Sequence, residues 1–119
     1  MPRFKIQYTP SAAEGLGKEL AKHPGKRKKV KKAVGFLEDP GPSYPSLNTH
    51  TMRGKTSNNN ETIYISYVEN HTPQAWRIYW SYWGPDNIKI LYVGPHEWDN
   101  STENKPTFMK ESGLLRWLF

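Results

Sequence analysis

The stretch that decides the fold is Ala75-Trp76-Arg77-Ile78-Tyr79-Trp80-Ser81-Tyr82-Trp83. Successive side chains of a β-strand point to opposite faces, so this stretch has two distinct faces. One face carries large side chains throughout: Trp76, Ile78, Trp80 and Tyr82. The other face is mixed and includes an arginine: Arg77, Tyr79, Ser81 and Trp83. The alternation predicts a strand at the centre of the fold.

Two further strand patterns flank this stretch. Residues 62–68 precede it, residues 88–93 follow it, and the turn Gly84-Pro85-Asp86-Asn87 leads into the last strand. Connections this short join antiparallel neighbours. The sequence therefore predicts a three-stranded antiparallel meander.

The first third of the chain predicts one strand and two helices. Residues 4–8 alternate apolar and polar side chains, and Ser11 stands three residues before Glu14, which is capping-box spacing. Apolar residues at helical spacing predict helices over 11–22 and 26–38. We therefore expect an α+β fold with an N-terminal strand, a helical hairpin and then the meander. Helices that precede such a sheet pack on one face, which leaves the other face free to line a groove.

Length and composition favour a single small domain. The 119 residues fit one domain, 1–119, with an aperiodic segment at 39–60 that we predict to be a long loop. The apolar tail, 105–119, is too short to span a membrane and is expected to dock on the domain or on a partner. The absence of cysteine excludes disulfides and thiolate chemistry and suits a reducing compartment. We expect a cytoplasmic protein without membrane association.

Positive charge is concentrated in the first third of the chain. The net charge is +6, and the densest run places six cations within seven residues, 26–32. Such a run favours a polyanion, most simply RNA, although an acidic protein, an anionic membrane surface or a merely solvated helix face also fits. The predicted phosphate contacts are Lys26, Arg27, Lys28, Lys29, Lys31 and Lys32.

A second group of candidate residues surrounds the meander. Arg77 lies in the middle strand, where it either stacks on aromatic neighbours or faces a ligand. His96 directly follows the last strand, and histidine exchanges protons near neutral pH. The other histidines, His23, His50 and His71, lack metal-ligand spacing, so we predict no metal and no cofactor.

Three short motifs in this order resemble the RelE/ParE toxin superfamily of bacterial toxin–antitoxin systems. They are Met52-Arg53-Gly54, Trp76-Arg77-Ile78 and Tyr92-Val93-Gly94-Pro95-His96. The resemblance covers about residues 3–98 and implies a RelE-like toxin that inhibits translation as a metal-independent, ribosome-dependent mRNA endonuclease. It also implies a cognate acidic antitoxin as a protein partner.

The resemblance assigns roles to individual residues. In an attack by a ribose 2′-OH on its neighbouring phosphate, Arg77 would stabilise the developing charge and His96 would act as acid or base, with Arg53 in the same catalytic set. Trp98 or Tyr79 would stack on a base, and Lys55 would contact the nucleic acid. No residue is firmly assigned as general base, and Glu97 is a weak candidate.

Two other functions stay open on the same scaffold. The first meander strand, with Tyr64-Ile65-Ser66, lacks the lysines that some family members carry, which favours a non-catalytic nucleic-acid-binding module. A related branch of the superfamily poisons DNA gyrase, and fold alone does not separate the branches.

Overall fold

The computed structural model of the chain describes residues 3–56, 62–70 and 75–95, with residues 52–56 described as backbone. Short 3₁₀ turns occupy Pro24–Lys26 and Pro45–Leu47. The strands and α-helices are β1 (Lys5–Tyr8), α1 (Pro10–Lys22), α2 (Arg27–Glu38), β2 (His50–Thr56), β3 (Thr62–Tyr67), β4 (Trp76–Tyr82) and β5 (Asn87–Pro95). The predicted α+β class, with a strand and helical hairpin before an antiparallel meander, is confirmed.

The sheet has one strand more than the sequence predicted. Its order is β1-β5-β4-β3-β2, with β1 parallel to β5 and every other pair antiparallel. The additional strand, β2, lies within the segment 39–60, so the prediction of a continuous loop there is wrong. β2 is an edge strand whose register with β3 shifts between Thr51 and Thr56. An edge strand tolerates polar and charged residues, which is why it has no apolar alternation.

The boundaries of the helical hairpin follow from its caps. Thr9, rather than Ser11, is the N-cap of α1, because its Oγ1 accepts a hydrogen bond from the Ala12 N–H at 3.1 Å. Pro10 then occupies the first helical position, where its missing N–H costs nothing. α2 begins at Arg27 because residues 24–26 form a 3₁₀ turn. Both predicted helices are otherwise confirmed.

The main core lies between the hairpin and one face of the sheet. It includes Trp76, Ile78 and Trp80 of β4, with Val30 and Leu37 of α2 packed in the same cluster. The Trp80 ring is fully buried and stacks on Tyr64 with ring centroids 4.6 Å apart. Its Nε1–H donates to Ser66 Oγ at 2.8 Å, which satisfies the polar atom of a buried indole. The predicted division of β4 into two faces is therefore confirmed.

The opposite face of the sheet carries a second apolar cluster. Ile63, Ile65, Tyr79 and Leu91 form it, and each is at most 8% exposed. A bulge in β5 contributes, because Tyr92 pairs with Tyr79 and Ile90 pairs with Trp80, leaving Leu91 as the extra residue. The expectation that this whole face is free to line a groove is therefore wrong. The half-buried Tyr67 and Arg77 lie beyond the cluster, at one end of the same face.

The hydroxyl of Ser66 links the main core to Thr49, the residue before β2, and removing it tests that link. Ser66 is fully buried, and its Oγ also lies 2.8 Å from Thr49 Oγ1. We expect Ser66→Ala to lower the free energy of unfolding by about 1–3 kcal/mol in urea denaturation, because the Trp80 N–H would be left without its acceptor. The control Ser43→Ala, at an exposed position, should change it by less than about 0.5 kcal/mol. Equal effects in the two variants would contradict the role of Ser66.

Candidate functional site

Glu69 follows β3 and is the buried acidic group of the site. Its Oε2 accepts hydrogen bonds from Lys26 Nζ at 2.6 Å and Lys29 Nζ at 2.8 Å. Its Oε1 accepts the Trp76 N–H at 3.2 Å. A buried carboxylate needs such partners because leaving water costs several kcal/mol per ion. Glu69 therefore joins the start of α2, the basic helix that carries most of the run 26–32, to the start of β4.

These contacts also set the protonation of Glu69. Burial on its own would raise the pKa of the carboxyl group, but the hydrogen bonds from Lys26, Lys29 and the Trp76 N–H together lower it to about 2. Glu69 is therefore a carboxylate at any physiological pH. The two lysines that bind it carry one positive charge more than the carboxylate neutralises.

Arg77 is anchored to the backbone of Glu69 and Trp76 and to the ring of Tyr67. Its Nη1 donates to the carbonyl oxygens of Glu69 at 2.5 Å and Trp76 at 3.2 Å. Its Cζ lies 3.6 Å from the centroid of the Tyr67 ring, which faces it across the β3–β4 pair. Stacking on an aromatic neighbour, one of the two arrangements predicted for Arg77, is confirmed. The position of the guanidinium is thus fixed before any ligand binds.

His50, the first residue of the edge strand β2, contacts the same tyrosine. The His50 and Tyr67 rings meet edge to face, with centroids 5.9 Å apart and an interplanar angle of 81°. His50 is exposed, and its Nδ1 lies 2.8 Å from the carbonyl oxygen of Asn48. His50 has no metal-ligand spacing to the other histidines, so no role was predicted for it, and the segment around it was predicted to be a loop. A strand prediction for residues 50–56 would have placed it on the sheet.

A cavity of about 420 Å³ lies between α2 and the end of β3. α2 forms one wall with Lys29, Lys32 and Phe36, and the end of β3 forms another with Tyr67 and Glu69. Lys32 Nζ lies 6.0 Å from the centroid of the Phe36 ring. α2 and Tyr67, the ring on which Arg77 stacks, therefore border the same cavity.

The structure divides the predicted phosphate contacts into two groups. Lys26 and Lys29 are bound to Glu69. The other four are exposed and form no ion pair with any described residue: Arg27, Lys28, Lys31 and Lys32. The second group leaves its charge available to an external anion.

The other predicted site residues have different outcomes. Arg53 and Lys55 lie in the part of β2, residues 52–56, where only the backbone is described. His96 and Trp98 lie outside the described residues. Tyr79 is fully buried in the second apolar cluster, with its ring 5.7 Å from that of Tyr92. The structure does not support base stacking by Tyr79, because a buried ring offers no open face.

The arrangement of helices and strands has a counterpart among solved structures. The crystal structure of an archaeal RelE–RelB complex from Pyrococcus horikoshii OT3 matches with a TM-score of 0.57 at 13% sequence identity. The alignment covers 82% of this chain and 99% of that one. The chain has a RelE-like fold. This confirms the fold that the motif order predicted.

Comparison at the level of sequence gives no further relative. No protein-family model matches the RelE-like chain, and no curated protein matches it. Its helices, as far as the structure describes them, are too short and too polar to cross a bilayer.

Protonation of Glu69 should destabilise the fold in acid. Its pKa falls from 4.5 to about 2 on folding, so the stabilisation is complete above about pH 5 and disappears as the pH falls towards 2. We expect Glu69→Gln to lower the free energy of unfolding by about 2 kcal/mol at pH 7 and by progressively less as the pH falls. Urea denaturation between pH 7 and pH 2 measures both. A pH-independent difference, as expected for the exposed control Glu14→Gln, would contradict this role of Glu69.

Proposed function

We propose that this chain is a RelE-like toxin that cleaves mRNA on the ribosome without a metal ion. The observation that carries the proposal is the position of Arg77 within a RelE-like fold. Its guanidinium is anchored on the sheet face opposite the helices, and the Tyr67 ring on which it stacks borders a cavity that Lys29 and Lys32 of α2 also line. The motif resemblance assigns the same arginine to the reacting phosphate.

A fixed guanidinium suits the proposed reaction. When a ribose 2′-OH attacks the adjacent phosphorus, negative charge builds on the phosphoryl oxygens. Charged donors that are already in place stabilise this charge without reorganising at the moment of reaction. Arginine presents five N–H groups, and Nη1 of Arg77 serves two backbone carbonyls. The remaining donors are the ones proposed to bind phosphate.

The exposed cations of α2 supply the binding energy in this proposal. Phosphate contacts give affinity and orientation without reading sequence, which suits an enzyme that takes its substrate from the ribosome. We also propose a cognate acidic antitoxin, because the similar archaeal structure is a RelE–RelB complex and this chain carries a net charge of +6. The protein would then act in the cytoplasm.

Replacing Arg77 tests the proposed cleavage. We expect Arg77→Ala to lower the rate of cleavage of ribosome-bound mRNA by at least about 100-fold, since the phosphate would be without its main charged donor. Arg77→Lys should recover only part of the rate, because an ammonium lacks the planar fork of donors. Primer extension on mRNA from a reconstituted translation reaction measures the cut, and Lys18→Ala at an exposed site on α1 is the matched control.

The result that would contradict the proposal is intact mRNA with the wild-type chain in a translating reaction. Growth arrest in cells whose mRNA stays intact would favour a gyrase poison instead. Full cleavage by a folded Arg77→Ala variant would remove this arginine from the mechanism. A thermal melt of each variant separates loss of activity from loss of fold.

A non-catalytic nucleic-acid-binding module is the second candidate function. It is favoured by the structural use of Arg77, whose contacts with the Glu69 carbonyl and the Tyr67 ring already anchor the end of the β3–β4 hairpin. The absence of lysine from β3 points the same way. This candidate requires binding of RNA without any cut, even on ribosomes.

Both candidate functions require the exposed side of α2 to bind phosphate. We expect the double variant Lys28→Ala/Lys31→Ala to lower the slope of log Kd against log salt concentration by about 2, or about 1 for each lysine that no longer binds a phosphate. Fluorescence anisotropy with single-stranded RNA at several salt concentrations measures the slope. The variant Lys18→Ala/Lys22→Ala on the exposed part of α1 removes the same charge and should leave the slope nearly unchanged. Equal slopes in all three proteins would exclude a specific role for α2.

A further inference from the structure

We propose that His50 is the general base of the RNA cleavage reaction, an inference that rests on the proposed function. The resemblance assigns no secure residue as general base, and no part in the site was predicted for His50. The geometry places its imidazole in one row with Tyr67 and Arg77.

The sheet register explains why these three residues meet. His50 pairs with Ile65 and Arg77 pairs with Tyr67, so all three members of the row lie on the sheet face opposite the helices. The His50 and Tyr67 rings meet edge to face, and Arg77 covers a face of the Tyr67 ring. The imidazole and the guanidinium therefore contact the same Tyr67 ring, which sets the separation between them. Two groups separated in this way can address one phosphodiester, with the base at the 2′-OH and the cation at the phosphoryl oxygens.

The backbone of the preceding turn orients the imidazole. His50 Nδ1 lies 2.8 Å from the carbonyl oxygen of Asn48. A carbonyl oxygen only accepts hydrogen bonds, so Nδ1 carries the proton and the lone pair of the neutral ring is on Nε2. Asn48 itself has the left-handed conformation, with φ 45° and ψ 42°, where the 3₁₀ turn 45–47 ends. Asparagine is among the few residues that adopt this conformation readily. A base oriented by a second group is the arrangement that catalytic histidines require.

The proposed step forms one P–O bond, breaks another and transfers two protons. Nε2 of His50 takes the proton of the 2′-OH while the 2′-oxygen forms a bond to phosphorus. The bond from phosphorus to the 5′-oxygen of the next nucleotide breaks, and that oxygen takes a proton from a general acid. The resemblance implies that His96 acts as acid or base, and with His50 as the base the proposal gives His96, which lies outside the described residues, the part of the acid. The products are a 2′,3′-cyclic phosphate and a 5′-hydroxyl.

Glu69, whose backbone carbonyl binds Arg77, is a poor alternative as the general base. Both oxygens of Glu69 are hydrogen-bonded, to two lysines and to the Trp76 N–H. Its pKa of about 2 also makes it a weak proton acceptor at neutral pH. His50, by contrast, is exposed and keeps Nε2 for a substrate.

The groups that face His50 are few in the part of the chain described. From β3 it is faced by Tyr67, and β4 contributes Arg77 behind that ring. β2 itself carries Arg53 and Lys55. No carboxylate joins this group among the described residues, so no competing proton acceptor stands beside the imidazole there.

The test is single-turnover cleavage of ribosome-bound mRNA between pH 5 and pH 9. We expect His50→Ala to slow cleavage by about 100-fold or more and to abolish the rise in rate with pH that the wild type shows below neutrality. Added imidazole should restore part of the rate to His50→Ala and none to Arg77→Ala. His50→Asn keeps a donor to the Asn48 carbonyl but has no basic nitrogen, so it should be as slow as His50→Ala. The control His23→Ala, the other described histidine, should keep the wild-type rate.

Each outcome decides the inference. A wild-type rate and an unchanged pH profile in His50→Ala would overturn it while leaving the proposed function in place. Wild-type activity in His50→Asn would overturn it even if the alanine variant failed to fold. A wild-type chain that cuts no mRNA would overturn the proposed function and the inference together. Loss of cleavage with imidazole rescue supports the general base, because a merely structural role would not respond to imidazole.

Discussion

The buried carboxylate of Glu69 connects most parts of the candidate site. It comes from the segment that follows β3, and its partners come from the start of α2 and the start of β4. A carboxylate at 9% exposure cannot stay in the fold without such partners. The requirement to satisfy it holds the start of α2 against the end of β3 and the start of β4. The backbone carbonyl of the same residue fixes Arg77, so charge pairing and placement of the candidate catalytic arginine depend on one residue.

The sheet divides its two faces between stability and function. One face packs on the helices around Trp80, and the centre of the other face is buried around Tyr79. The bulge at Leu91 lets β5 contribute to both apolar clusters. It places Leu91 and Tyr92 on the same face, while Ile90 and Val93 stay in the main core. The end of the second face that carries His50, Tyr67 and Arg77 combines polar and aromatic groups with access to solvent. The candidate site therefore lies where packing no longer requires apolar residues.

The sequence predicted the elements whose burial leaves a periodic pattern. The alternation in β4 and the apolar spacing in α1 and α2 are direct consequences of packing on one core, so these elements were found. β2 was missed because an edge strand with one neighbour has no such constraint, and its segment from His50 to Thr56 is mostly polar. The error on Tyr79 arose because alternation assigns a side chain to a face without showing whether that face is covered.

The same limit applies to the site. Arg77 was found because an arginine in an aromatic strand is conspicuous, whereas its anchor on the Glu69 carbonyl depends on the pairing of β3 with β4, which no local pattern reveals. Lys26 and Lys29 stand 43 and 40 residues from Glu69, so their pairing is a product of the fold alone. His50 was missed for the same reason as β2.

The central claim is that the basic helix and the Arg77 end of the sheet form one RNA-binding surface. The most direct test is an NMR titration of the ¹⁵N-labelled chain with a single-stranded RNA whose 2′-OH is replaced by hydrogen at the cleaved position. The account predicts that the largest shifts fall on the Arg77 side chain, on Tyr67 and His50, and on the exposed residues of α2. Shifts confined to β1 and α1, with the Arg77 side chain unchanged at saturation, would contradict it.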